Sequence, residues 1–173
     1  MAVTPEQEDY LHLLESLRKG DLDGVRLALG APDDWANARE AYTNSNVMSL
    51  ALIESPVPFV RELLARGADP NYEDLGGFPS LLNVLSGDRA EKHELLELLI
   101  EAGADVQGRG INGYTPLHMA ASRDDDRAIA LLLATGADHA ARTNVDDYET
   151  ALEVALRGGC SRAIESLRGA GGD

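Results

Sequence analysis

Gly113-Tyr114-Thr115-Pro116-Leu117-His118-Met119-Ala120-Ala121 opens a unit that runs through Ile129-Ala130-Leu131-Leu132-Leu133 and closes at Gly136-Ala137-Asp138. The closing tripeptide recurs. Gly67-Ala68-Asp69, Gly103-Ala104-Asp105 and Gly136-Ala137-Asp138 are spaced 36 and 33 residues apart, and Gly171-Gly172-Asp173 is a degenerate fourth copy 35 residues on. A fixed period of this size marks stacked structural repeats. Glycine suits each closing position because the chain leaves a helix there through a left-handed turn, which only Gly adopts cheaply.

The Thr-Pro-Leu-His-x-Ala string resembles the signature of ankyrin repeats, each a turn followed by two short helices. The resemblance covers residues 40–173 well and residues 5–39 by pattern alone. It implies an all-α solenoid of stacked helix-turn-helix units with β-hairpin-like finger loops. The expectation is one repeat domain over 1–173, with units at 1–39, 40–72, 73–108, 109–141 and 142–173. In the second unit, Asn46-Val47-Met48-Ser49-Leu50-Ala51-Leu52 falls where Thr115 to Ala121 falls, without a gap to Gly67 but without Thr-Pro. The third has Pro79-Ser80 in that place and three inserted residues around Gly87-Asp88-Arg89-Ala90-Glu91. The fifth has two residues inserted at 144–147, and puts Ser166 and Arg168 where Leu131 and Leu133 stand, which suits a water-facing end repeat. In the first unit a helix is predicted after Pro5, with Tyr10, Leu11, Leu13, Leu14 and Leu17 on its apolar face. Lys19-Gly20-Asp21 stops it. A second helix is predicted over Leu22 to Leu29, with Val25, Leu27 and Leu29 inward.

Charge bounds the function. The chain carries 30 acidic and 15 basic side chains, a net −15. Such a field repels nucleic acid and anionic lipid and speeds encounter with a basic partner; it also keeps an elongated protein soluble. No apolar run approaches the roughly 18 residues of a membrane-spanning helix, and Met1-Ala2-Val3-Thr4-Pro5-Glu6-Gln7-Glu8 lacks the parts of a secretory signal. The reading therefore expects a cytoplasmic protein, monomeric on its own, with a protein partner and no nucleic acid or membrane partner. Cys160 is the only cysteine, so an intramolecular disulfide is impossible.

No catalytic, metal-binding or cofactor-binding residue is expected, and no cofactor. The resemblance implies that His118 braces its turn by hydrogen bonds. His12, His93 and His139 lie in different units, and no pair has the i, i+4 spacing of a helical metal site. Cys160 has no histidine in its unit to act as a base. Asp124-Asp125-Asp126 and Asp146-Asp147 lack the alternating ligands of a calcium loop and read as solvated acidic turns.

The aromatic residues are more informative. Tyr42, Phe78, Tyr114 and Tyr148 are spaced 36, 36 and 34 residues apart, close to the repeat period. All four fall near the same place in successive units; Phe78 and Tyr114 share one position, which the resemblance places on the finger that leads into the concave face where partners bind. The rings either meet a partner or pack finger against finger. With Leu75, Arg109, Ile111, Asn112, Ser122 and Arg123, they make up the candidate protein-binding surface. The function implied is a non-catalytic interaction module, an acidic adaptor or inhibitor of a basic protein. An alternative is an immunity- or antitoxin-like protein that masks the active site of a toxin enzyme; another is a secreted bacterial effector that binds host proteins. The last unit reaches the end of the sequence, so no separate activity is expected after it.

Overall fold

The computed structural model describes residues 4–144 and 148–171. Ten α-helices follow one another in five pairs among these residues, and extended backbone is limited to isolated bridges at Arg39–Asn46 and Arg142–Thr150. The fold is all-α and made of helical repeats. The chain divides into two compact units, Met1–Gly76 and Gly77–Asp173.

The first unit holds α1 (Pro5–Lys19), α2 (Leu22–Ala28), α3 (Val47–Glu54) and α4 (Val57–Ala65). Thr4 starts α1. Its hydroxyl accepts the Gln7 N–H, and the Gln7 side chain accepts the Thr4 N–H in return, so two otherwise orphaned donors are satisfied. Leu13, Leu17 and Val25 are fully buried between α1 and α2. Leu11 and Leu27, expected inward, are 57% and 77% exposed. Each stands two residues from a buried neighbour, which on a helix is a turn of about 200° toward the opposite side. In α3 the missing Thr-Pro is replaced by Asn46, whose carboxamide oxygen accepts the Met48 N–H at 2.7 Å. Val47 to Leu52 are then buried without interruption, because α3 is packed on several sides.

The second unit holds α5 (Ser80–Ser86), α6 (Lys92–Glu101), α7 (Pro116–Ser122), α8 (Asp126–Ala134), α9 (Ala151–Gly158) and α10 (Ser161–Gly171). α7 packs on α5 and α9, and α8 packs on α6 and α10. Leu81, Leu85, Leu96, Leu99, Leu117, Ile129 and Leu132 fill the interior at 1% exposure or less. Among the residues of α10 whose burial is described, Ala163 and Leu167 are buried, while Arg162, Glu165 and Arg168 face water.

The repeated Gly-Ala-Asp is explained letter by letter. Gly67, Gly103 and Gly136 take φ of 89°, 95° and 95°, which admits no side chain without strain. Ala68, Ala104 and Ala137 are buried. Asp69, Asp105 and Asp138 each accept the N–H two residues on, from Asn71, Gln107 and Ala140, which closes the turn. An amide side chain from the preceding repeat completes two of them. Asn37 bonds Gly67 O and the Asp69 N–H, and Gln107 bonds Gly136 O and the Asp138 N–H.

Candidate protein-docking surface

In the first unit one finger runs between Arg39 and Asn46. Glu40, 5% exposed, organises it: its carboxylate accepts N–H groups from Tyr42, Thr43 and Ser45 and the Thr43 hydroxyl. Burial pushes the Glu40 carboxyl up, but these donors outweigh burial and hold it below the ordinary carboxylate value. Tyr42 is carried on this turn at 48% exposure, with its ring 5.6 Å from that of Tyr10 and its hydroxyl accepting from Gln7 Nε2. Leu75 is 61% exposed.

In the second unit the finger at 109–114 is tied to the following one. Arg109 donates to Gly113 O and to Arg142 O, and the Asn144 N–H donates to Asn112 O at 2.8 Å. Gly113 is needed at this junction, because a Cβ there would lie 2.6 Å from Asn144 Cγ. Ile111 and Tyr148 are left outward, at 54% and 61% exposure; Asn112 and Arg109 are exposed too. Phe78 and Tyr114 are half-buried. The Tyr114 ring lies 5.5 Å from the His118 imidazole. At the far end of α7, Ser122 is exposed with its hydroxyl donating to Met119 O, and Arg123 reaches Leu85 O and Asp88. The four aromatics therefore divide into two exposed rings and two that pack.

His118 is 1% exposed and braces the turn as the resemblance implied. A carbonyl can only accept, so Nε2 carries the hydrogen donated to Glu149 O at 3.0 Å; Nδ1 accepts the Thr115 hydroxyl and N–H. Burial depresses the His118 pKa. In the window below about 6.5 the unfolded chain therefore binds more protons than the folded one. The stabilisation from His118 is complete above that value and is lost as pH falls through it. Urea unfolding should show the gap between wild type and His118→Ala narrowing from about pH 7.5 to about pH 5.

The acidic turn at 124–126 corrects the sequence reading. Asp125 is 7% exposed, not solvated. It caps α8 through the Ala128 N–H and meets Lys92 and His93 of α6. Asp124 reaches the other way and accepts the Ala163 N–H and Arg162. The turn fastens its helix pair to both neighbours. Asp146 and Asp147 lie outside the described residues. Cys160 is half-buried, with its thiol 3.8 Å from Ser122 O. Among the described residues no three His, Cys, Asp or Glu side chains converge as a metal site would need. None of the described helices is long and apolar enough to cross a membrane.

The family model for ankyrin repeats, in three copies, matches residues 86–173. The chain belongs to the ankyrin repeat family, whose members are generally protein-interaction modules without catalysis. It is 31% identical over 149 residues to the RelA-associated inhibitor of Mus musculus, covering 86% of this chain and 16% of that protein. It is 29% identical over 136 residues to a putative ankyrin repeat-containing protein of Treponema pallidum (strain Nichols), covering 79% and 43%. It is 39% identical over 134 residues to the putative E3 ubiquitin-protein ligase XBAT34 of Arabidopsis thaliana, covering 74% and 34%. The chain thus spans less than half the length of these curated relatives.

Proposed function

We propose that this chain is a non-catalytic docking module, an adaptor or inhibitor whose partner is a basic protein. The observation that carries the reading is the unbalanced acidic charge. The net charge is −15, and many of the few cations are already engaged: Arg18 by Glu54, Arg127 by Glu97, Arg142 by Glu153 and Arg157 by Glu149. The surplus carboxylates then set the field that an approaching protein meets. Tyr42 and Leu75 serve docking in the first unit; Arg109, Ile111, Asn112, Ser122, Arg123 and Tyr148 serve it in the second. Phe78 and Tyr114, half-buried, serve packing first. Inhibition by masking a cationic surface, as an immunity protein masks a toxin enzyme, is the form that best uses such a field, and the inhibitor among the relatives is in keeping with it. We place the protein in the cytoplasm as a monomer.

Affinity purification followed by titration of the recombinant partner tests this. The partner should be basic, and its affinity should fall severalfold between about 50 and 200 mM salt as screening shortens the reach of the charges. Recovery of neutral or acidic partners alone, with binding indifferent to salt, would refute the electrostatic reading.

A further inference from the structure

Asn112-Gly113 is the one place in the sequence where an asparagine precedes a glycine. Such a pair is chemically labile. Glycine has no side chain to hinder its own backbone nitrogen from attacking the neighbouring carboxamide, and its backbone turns freely into the geometry required. The fold holds the pair away from this reaction. Attack joins Gly113 N to Asn112 Cγ in a five-membered ring, which needs that nitrogen and Cβ on the same side of the Cα–C bond. Asn112 sits at φ 64° and ψ 15°, which in an L-residue puts the nitrogen on the far side from Cβ. Turning ψ would carry Asn112 O away from the Asn144 N–H that it accepts at 2.8 Å, and pull the Gly113 N–H off Gly110 O at 3.1 Å. Arg109 holds the same loop through Gly113 O and ties it to Arg142 O. The bond between the two fingers is therefore also a lock on the torsion that would react.

We propose that Asn112-Gly113 is a self-modification site, gated by local opening of the 109–114 finger, with water as the only co-reactant. In the open finger the Gly113 amide gives up its proton to solvent base. Its nitrogen then bonds to Asn112 Cγ, and the carboxamide nitrogen leaves as ammonia. Water opens the resulting succinimide. Cleavage of the bond from nitrogen to Cγ gives aspartate; cleavage of the bond from nitrogen to the Asn112 backbone carbonyl carbon gives isoaspartate, which carries the main chain through Cγ and lengthens it by one carbon. One water enters, one ammonia leaves, and the finger gains one negative charge. Aspartate tolerates left-handed backbone and can rebuild the finger. Isoaspartate cannot, because Gly113 is buried and packed so closely that even a Cβ there would lie 2.6 Å from Asn144 Cγ. The reaction turns a transient opening into a permanent one.

The test incubates the full chain at mildly alkaline pH and follows Asn112 by peptide mass spectrometry, with aspartate and isoaspartate products separated by chromatography. Deamidation should be at least about tenfold slower in the folded chain than in concentrated urea, because the rate follows the small population of open finger. Arg109→Ala should speed it severalfold by removing two ties. Urea below the unfolding transition should change the folded rate little, since a local opening exposes little surface. In the isolated isoaspartyl product the Asn144 amide should exchange faster with solvent than in the untreated chain. Equal rates in folded and unfolded chain, or no reaction at Asn112 in either, overturn the site. An Arg109→Ala rate equal to wild type overturns the finger lock. A rate that climbs steeply from the lowest urea concentrations overturns local gating, because the reaction would then pass through global unfolding. An Asn144 amide still protected in the isoaspartyl product overturns the permanent opening.

Discussion

Asp125→Ala is expected to destabilise the protein by about 3–5 kcal/mol, read as a fall in the urea midpoint. The size follows from what the carboxylate touches. Oδ2 lies 2.6 Å from Lys92 Nζ and Oδ1 lies 2.7 Å from His93 Nε2, and Oδ1 also accepts the Ala128 N–H at 3.1 Å. A buried ion pair is by itself weak evidence of stability, because desolvation cancels much of the attraction. Removing one partner is different, since the remaining cation is left without compensation. Alanine would leave Lys92 facing an empty site and strip α8 of its cap. Asp125→Asn should cost less, because an amide oxygen still caps the helix. The same carboxyl gives a pH dependence. Burial pushes its pKa up, but Lys92, His93 and the Ala128 N–H outweigh burial and hold it below the ordinary value. A depressed folded pKa means that the stabilisation is complete well above the unfolded value of about 3.9 and is lost as pH falls through the folded one. Wild type should therefore lose stability on acidification below about pH 4, and Asp125→Asn should lose less over the same range.

The sequence alone does not disclose this cluster. Features that repeat were legible, because repetition exposes a shared physical demand: the Gly-Ala-Asp turn, and Thr115 with His118, both hold as read. Asp125 was not legible. A run of three aspartates is usually a solvated turn, and the partners of Asp125, Lys92 and His93, are more than thirty residues back in the chain, in a helix pair with no sequence mark that they point forward. No second histidine stands at helical spacing from His93, whose partner is instead a carboxylate 32 residues on. Leu11 and Leu27 were misread by hydrophobicity alone, since the period that decides a helix face puts each opposite a buried neighbour. The aromatic column was legible only in part. Their spacing is nearly constant from ring to ring, but fingers differ in length. Measured back from the capping position, Tyr42 stands four residues away, Phe78 and Tyr114 one, and Tyr148 two. Equal spacing therefore does not give equal surroundings, and only Tyr42 and Tyr148 emerge as exposed rings.

Leu132→Ala should cost about 2–5 kcal/mol, with Leu133→Ala well below it, in parallel urea titrations. The two residues are neighbours on α8 with the same side chain, so propensity and unfolded-state effects cancel in the comparison. What differs is position. Leu132 is fully buried, on the stripe that includes Ala128 and Ile129; Leu133 is only half-buried. Truncating Leu132 removes apolar area and also leaves a cavity that close-packed neighbours cannot fill. α8 lies against both α6 and α10, so the loss falls on two interfaces between helix pairs rather than within one. In a stacked array the stability is roughly a sum of terms for each repeat and for each neighbouring interface. Leu132→Ala should therefore raise amide exchange in α6 and α10 as well as in α8, whereas Leu133→Ala should leave those helices protected. Equal losses for the two variants, or exchange that rises in α8 alone, would show that α8 is held by its own pair and that stacking contributes little there.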